Sequence, residues 1–255
     1  MRNFKLTVRY DGTDFYGWQT QPGRRTVQET LERAIAEITC EDRVRANVSG
    51  RTDSGVHAVA QVANVFTGSK LSCDTLLKAI NAKLPHDVTV RELVEVPQSF
   101  CANKDALRKM YRYVIQDGRV LDPFMRKYAW FVRQTLDVEA MRRASQCLVG
   151  RHDFRCFESE WPNRLTSVRT ITHLSLNRFG EFIWFDVEAD GFLYNMVRAI
   201  AGSLVQVGRG FWPETQIADV LSAMDRKLAG PTAPPEGLFL MRVTYPDQTK
   251  QEPGN

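Results

Sequence analysis

The chain holds 255 residues, 43% of them hydrophobic and 25% charged, with 34 Lys+Arg against 30 Asp+Glu. That is the balance of a globular protein, and it excludes disordered, collagen-like and disulfide-stapled chains. No apolar run approaches the ~18 residues of a membrane span, and a net charge of +4 is too mild to name a partner. Five cysteines without a CxxC pair read as reduced thiols. The start, MRNFKLTVRYDG, lacks the apolar core of a signal peptide, so a cytoplasmic protein with no membrane partner is expected. Nine Lys leave 25 Arg among the basic residues, a skew that suits phosphate contacts and base stacking and equally a GC-rich genome. Walker loop, GxGxxG turn and metal-spaced His or Cys patterns are all missing, so neither a nucleotide cofactor nor a metal is expected.

Residues 4–10 alternate, with Phe4, Leu6, Val8 and Tyr10 on one face, as in a half-buried strand that breaks at Asp11-Gly12. Thr26 with Glu29 forms a capping box, and Val27, Leu31, Ile35 and Ile38 make one helical stripe. Val44, Ala46 and Val48 alternate up to Ser49-Gly50, and an apolar strand covers 58–66. A helix carrying Leu76, Leu77, Ile80 and Leu84 is stopped by Pro85, and 88–96 is a strand before Pro97. The second half repeats this β-α-β-β-α-β order with insertions. It has a strand over 109–116, a helix over 138–149, and a hairpin of 168–176 with 181–188 turning near Phe179-Gly180. Helices over 194–207 and 213–224 follow, the latter with Pro213 at an early helical position, and 238–245 closes as a strand. The expected fold is α+β: two tandem ferredoxin-like halves, 1–104 and 105–246, with mainly antiparallel sheets. A disordered polar tail is expected over 247–255.

Three segments stand out chemically. GRTDSGVHA, residues 50–58, has glycines flanking Arg51, Thr52, Asp53 and Ser54. A plain surface turn explains Asp and Gly there, but a bare hairpin needs only about two residues, and this one is longer and includes an Arg and a His. YNMVRAIAGSLVQV, residues 194–207, is apolar on most of its circumference with Arg198 set among Met196, Val197 and Ile200. A guanidinium there needs a carboxylate or several carbonyls; it serves structure, or it keeps a catalytic carboxylate ionised. In KMYRYVI, residues 109–115, Tyr111 and Tyr113 share one strand face and Arg112 takes the other. These are ordinary strand tyrosines, or a stacking surface for an unstacked base worth about 1–3 kcal/mol. Arg24-Arg25, after Pro22-Gly23, is a solvated loop tip or a phosphate contact beside a helix start.

GRTDSGVHA closely resembles the catalytic loop of the tRNA pseudouridine synthase A family. RYDGTDFYGWQTQP (9–22), TVQETLE (26–32), KMYRYVI (109–115), GRHDFRCF (150–157), GFLYNMVRAIAGSLVQVGRG (191–210) and APPEGLFL (233–240) also look like that family's blocks, in its order. Ser54 stands where the family often has Ala, which a turn tolerates. The resemblance implies the pseudouridine synthase fold, with the two halves around a basic cleft, and conversion of uridine to pseudouridine at positions 38–40 of tRNA. It implies a homodimer without cofactor or metal, contacting the anticodon stem–loop and elbow of tRNA. Carried over by motif, Asp53 is the nucleophile, Tyr111 contacts the uracil, Arg198 pairs with Asp53 and Leu238 lines the base pocket. Arg51, His57, Arg24 and Arg25 are the further expected substrate contacts.

Rival readings are a pseudouridine synthase of different RNA or site specificity and a non-catalytic RNA-binding protein, since β-α-β-β-α-β is also the RRM order. The RRM aromatic signature is missing from both halves. Asp53-Ser54-Gly55 mimics one aspartic-protease triplet, but a cationic Arg51 beside a proton-sharing dyad would work against it.

Overall fold

A computed structural model describes residues 1–159 and 166–246, so the tail expected over 247–255 lies outside the described residues. The chain divides into two units: Met1–Lys109 with Met241–Asn255, and Met110–Leu240. Each is α+β with mostly antiparallel strand pairing. Among the described residues no helix is long and apolar enough to cross a membrane.

The first unit follows the order read from the sequence: β1 (Arg2–Tyr10), α1 (Val27–Thr39), β2 (Ala46–Val48), β3 (His57–Thr67), α2 (Cys73–Lys83) and β4 (Val88–Val96). β1 lies between β4 and β3, antiparallel to both, and β2 pairs with β3. The alternation of β1 is realised in burial, with Phe4, Leu6, Val8 and Tyr10 inside. Thr26 caps α1 by accepting from the Glu29 N–H at 3.4 Å, and Cys40 ends it in a left-handed turn. α2 starts at Cys73, ahead of its first buried leucine, because Ser72 accepts from the Thr75 N–H at 3.2 Å. The C-terminal stretch belongs here too: Val243 and Tyr245 pack against Val62, Val96, Phe100 and Ala102.

The second unit contains most of β5 (Arg108–Asp117), then β6 (Trp130–Val132), α3 (Val138–Ser145), β7 (Gly150–Asp153), β8 (Val168–Phe179), β9 (Phe182–Ala189), α4 (Met196–Gly208), α5 (Gln216–Ala223) and the first part of β10 (Leu238–Thr244). Its strand order is β10-β5-β9-β8-β7, with β6 parallel to β5. The hairpin turns at Gly180 (φ +60°), as expected. Differences are local. β6 and β7, of three and four residues, are too short for a periodicity to register. The helix expected over 138–149 gives way after Ser145 to a 3-10 turn over Gln146–Leu148. α5 begins at Gln216, so Pro213 precedes the helix instead of opening it.

Candidate active site

Asp53 sits, half-buried, in the segment between β2 and β3. The stretch after β1 cradles that segment. The Thr52 carbonyl accepts from the Trp18 N–H at 3.0 Å, and the Phe15 carbonyl accepts from the Gly55 N–H and the Ser54 hydroxyl, both at 3.2 Å. The Val56 N–H returns to the Asp53 carbonyl at 3.2 Å and closes the turn. Two glycines permit this approach. A Cβ on Gly12 would stand 2.0 Å from the Val56 carbonyl oxygen, and one on Gly17, whose φ is +79°, would stand 2.6 Å from that of Thr52. RYDGTDFYGW is therefore the mould of the Asp53 turn.

His57, expected to touch substrate, is buried at 2% exposure, and its Nδ1 accepts from the Gly12 N–H at 3.0 Å. The same nitrogen lies 3.2 Å from Asp11 Oδ1. His57 thus ties β3 to the mould. Arg51 is exposed beside Asp53. Arg25 makes a two-pronged pair with Asp87 at 2.8 and 2.9 Å and lies 4.0 Å over the Phe15 ring; Arg24 lies 4.4 Å over Tyr16. Both arginines line a cavity of about 670 Å³ shared with Arg33 and Lys83.

In the second unit every residue of α4 except Arg198 and Gln206 is buried. Arg198 itself is half-buried. Its Nε donates to the Ala233 carbonyl at 2.7 Å and Nη1 to the Asn195 side-chain oxygen at 2.8 Å, while the Ala233 N–H donates to the Arg198 carbonyl at 3.1 Å. Asn195 precedes the helix at φ +60°, a left-handed conformation that Asn tolerates. Further along, Gly202 lets the chain at Pro231 close in: a Cβ there would be 1.8 Å from the Pro231 carbonyl oxygen. The block containing APPEGLFL is thereby laid against α4. Tyr113 extends the clamp by donating to the Pro234 carbonyl at 2.7 Å, and burial pushes its phenol well above the usual range. Leu238 follows at the start of β10, buried.

Tyr111 and Tyr113 are both buried, and Arg112, as the alternation requires, faces the other way. It pairs with Asp186 at 2.7 and 2.8 Å and stacks 3.9 Å over Trp184. Tyr111 meets Phe192 edge-on, ring centroids 5.0 Å apart. In the first unit, sequence reasoning missed Tyr10 and Gln61 behind the loop. A glutamine inside the apolar run 58–66 was the available signal.

The first unit offers a carboxylate on a hydrogen-bonded turn; the second offers tyrosine rings on a strand and a guanidinium held by Ala233 and Asn195. Among the described residues no cluster of three or more His, Cys, Asp or Glu is placed to hold a metal. A family model described as tRNA pseudouridine synthase matches residues 6–103 and 144–246, which defines the chain as a pseudouridine synthase by class. It is 42% identical to tRNA pseudouridine synthase A of Thermoanaerobacter sp. (strain X514) and 44% to that of Acetivibrio thermocellus, in each case over 96% of this chain and 100% of the relative. The chain belongs to the tRNA pseudouridine synthase A family. A solved Cbf5-Nop10-Gar1 complex aligns over 92% of this chain and 57% of its own, at 13% identity and a TM-score of 0.36, too distant to add to this.

Proposed function

We propose that the chain isomerises uridine to pseudouridine at positions 38–40 of the tRNA anticodon stem–loop, with Asp53 as the nucleophile. The observation that carries this is the placement of Asp53, on a turn moulded by Gly12 and Gly17, within a chain 42–44% identical to tRNA pseudouridine synthases A along its length. The reaction breaks the bond from ribose C1′ to uracil N1, turns the base and joins C1′ to C5. The proton lost from C5 is balanced by the one gained at N1, so no redox equivalent or ATP is consumed.

The target base first leaves its stack, at a cost of a few kcal/mol. Tyr111, on its strand face, is proposed to offset that cost by contacting the uracil, with Leu238 lining the pocket. Asp53 attacks C1′ or C6 or takes a ribose proton; Tyr111 and Asp53 are the candidate bases for the C5 proton. Arg198, oriented by Ala233 and Asn195, is the cation proposed to hold Asp53 ionised, as a nearby opposite charge does. Arg24, Arg25 and Arg51 are proposed phosphate contacts. A homodimer engaging stem–loop and elbow rests on the family resemblance.

The test is an unmodified tRNA transcript incubated with the protein, followed by carbodiimide-dependent reverse-transcription mapping. New stops at 38–40 are expected. Stops elsewhere would establish another specificity, and tight binding without any stop would leave a binding module.

A further inference from the structure

Behind the Asp53 turn lies a group of buried polar side chains: Ser49 and Gln61 at 0% exposure, Tyr10 at 3% and Thr52 at 6%. Gln61 stands in β3 directly opposite Val8 of β1, where an apolar residue would serve the sheet as well. Its amide is fully used. The oxygen accepts from the Ser49 hydroxyl at 2.7 Å and the Val62 N–H at 3.1 Å; the nitrogen donates to the Gly50 carbonyl at 2.8 Å and to the Tyr10 oxygen at 3.4 Å. The Tyr10 hydroxyl in turn meets the Thr52 hydroxyl at 2.7 Å. Between Val8 and Tyr10 the pairing of β1 with β3 slips, as at a bulge, a device that re-aims a side chain at a strand end. Here it ends with Tyr10 reaching the turn.

We infer that Tyr10, Gln61 and Thr52 form a positioning relay for Asp53, resting on its proposed role as nucleophile. On the N-terminal side of Asp53 the backbone is held at the Gly50 carbonyl by Gln61 and at the Thr52 carbonyl by Trp18, and the Thr52 side chain is held by the Tyr10 hydroxyl. Asp53 has two degrees of side-chain freedom, and its carboxylate can be no better placed than the peptide that carries it. Polar groups in such a spot are a poor way to gain stability, because matched apolar replacements cost little. What a fully satisfied network contributes is a single geometry. Misplacing a reacting group by about 1 Å can cost about a hundredfold in rate.

The experiment measures kcat, KM, tRNA affinity and melting temperature for Tyr10→Phe, Thr52→Val, the double variant, Thr52→Ser and Asp53→Asn. Tyr10→Phe and Thr52→Val are expected to lower kcat by roughly ten- to a hundredfold, with KM and affinity within about twofold and the protein folded at the assay temperature. The double variant should lose no more than the worse single one, because both cut one link. Thr52→Ser, which restores a hydroxyl, should recover most of the loss. Full kcat in Tyr10→Phe and Thr52→Val, while Asp53→Asn is inactive, overturns the relay alone. So does a double variant whose losses multiply. Activity surviving in Asp53→Asn overturns the nucleophile assignment and the relay with it.

Discussion

The Asp53 turn and the helix α4 are both shaped by chain segments that approach to within a missing Cβ, yet the polar groups that hold them differ in kind. Behind the Asp53 turn the buried side chains of Tyr10, Thr52, Gln61 and Ser49 exchange hydroxyl and amide hydrogen bonds. Ion pairs of that unit, such as Arg2–Glu95 and Lys78–Asp74, lie toward solvent. In the second unit charge goes inside. Asp117 is buried against Arg178 at 2.7 and 2.8 Å and also accepts from the Leu136 N–H, and Asp186 is held by Arg112. A neutral network does not titrate near pH 7 and does not compete for a catalytic carboxylate's counter-charge. A charged one is stronger pair by pair and fails harder when one member is removed.

The comparison breaks most visibly at the proposed nucleophile and its proposed counter-charge. Asp53→Ala is expected to abolish turnover while leaving tRNA affinity within about twofold, read by tritium release and filter binding. Arg198→Lys keeps the charge but loses the planar fork. Hydrogen bonds to charged groups are worth about 1.5–3 kcal/mol, so a rate loss of roughly ten- to a hundredfold is expected.

Next come the two close approaches. Gly12→Ala and Gly202→Ala each drive a methyl group into a backbone carbonyl, with an expected cost of about 3 kcal/mol in urea unfolding. Gly12→Ala should also depress kcat in the protein that remains folded, because it deforms the mould of the Asp53 turn. Of comparable or smaller size is Asp186→Asn, which leaves the half-buried Arg112 facing an amide and should cost about 2–3 kcal/mol. Arg112→Met combined with Asp186→Leu should recover most of it, whereas no such apolar rescue is expected to restore kcat in the Tyr10 and Thr52 variants.

The smallest effect is an alkaline one. Burial pushes the Tyr10 phenol up to about 12, with Thr52 and Gln61 opposing the rise. The unfolded phenol ionises near 10 while the folded one stays protonated, so this contribution is intact below pH 10 and is lost as pH rises toward 12. At pH 11 it amounts to about 1 kcal/mol, and Tyr10→Phe should flatten that part of the melting-temperature profile.

Several of these features were legible in the letters. The alternation of residues 4–10, the Thr26 cap and the apolar circumference of 194–207 each depend on neighbours a few positions away, and each element formed where that pattern lies. Helix ends were less legible. α3 ends at Ser145 and α5 starts at Gln216 beside local turns that periodicity does not register. His57 is expected from the sequence to contact substrate; the structure adds a buried bond to Gly12 that joins residues 45 positions apart. Gln61 was visible only as an oddity in an apolar strand.

Sequence by itself determined the family, the α+β order and the identity of the chemical groups, because motif spacing and periodicity are properties of nearby residues. Tertiary structure alone decided what holds those groups still. Gly12 and Gly17 matter for what lies across from them, Tyr10 for a hydroxyl 42 positions away, and Ala233 for the guanidinium of Arg198. Those relations arise from non-local hydrogen bonds and from volume excluded by a backbone that returns from elsewhere in the chain, and no local pattern encodes them.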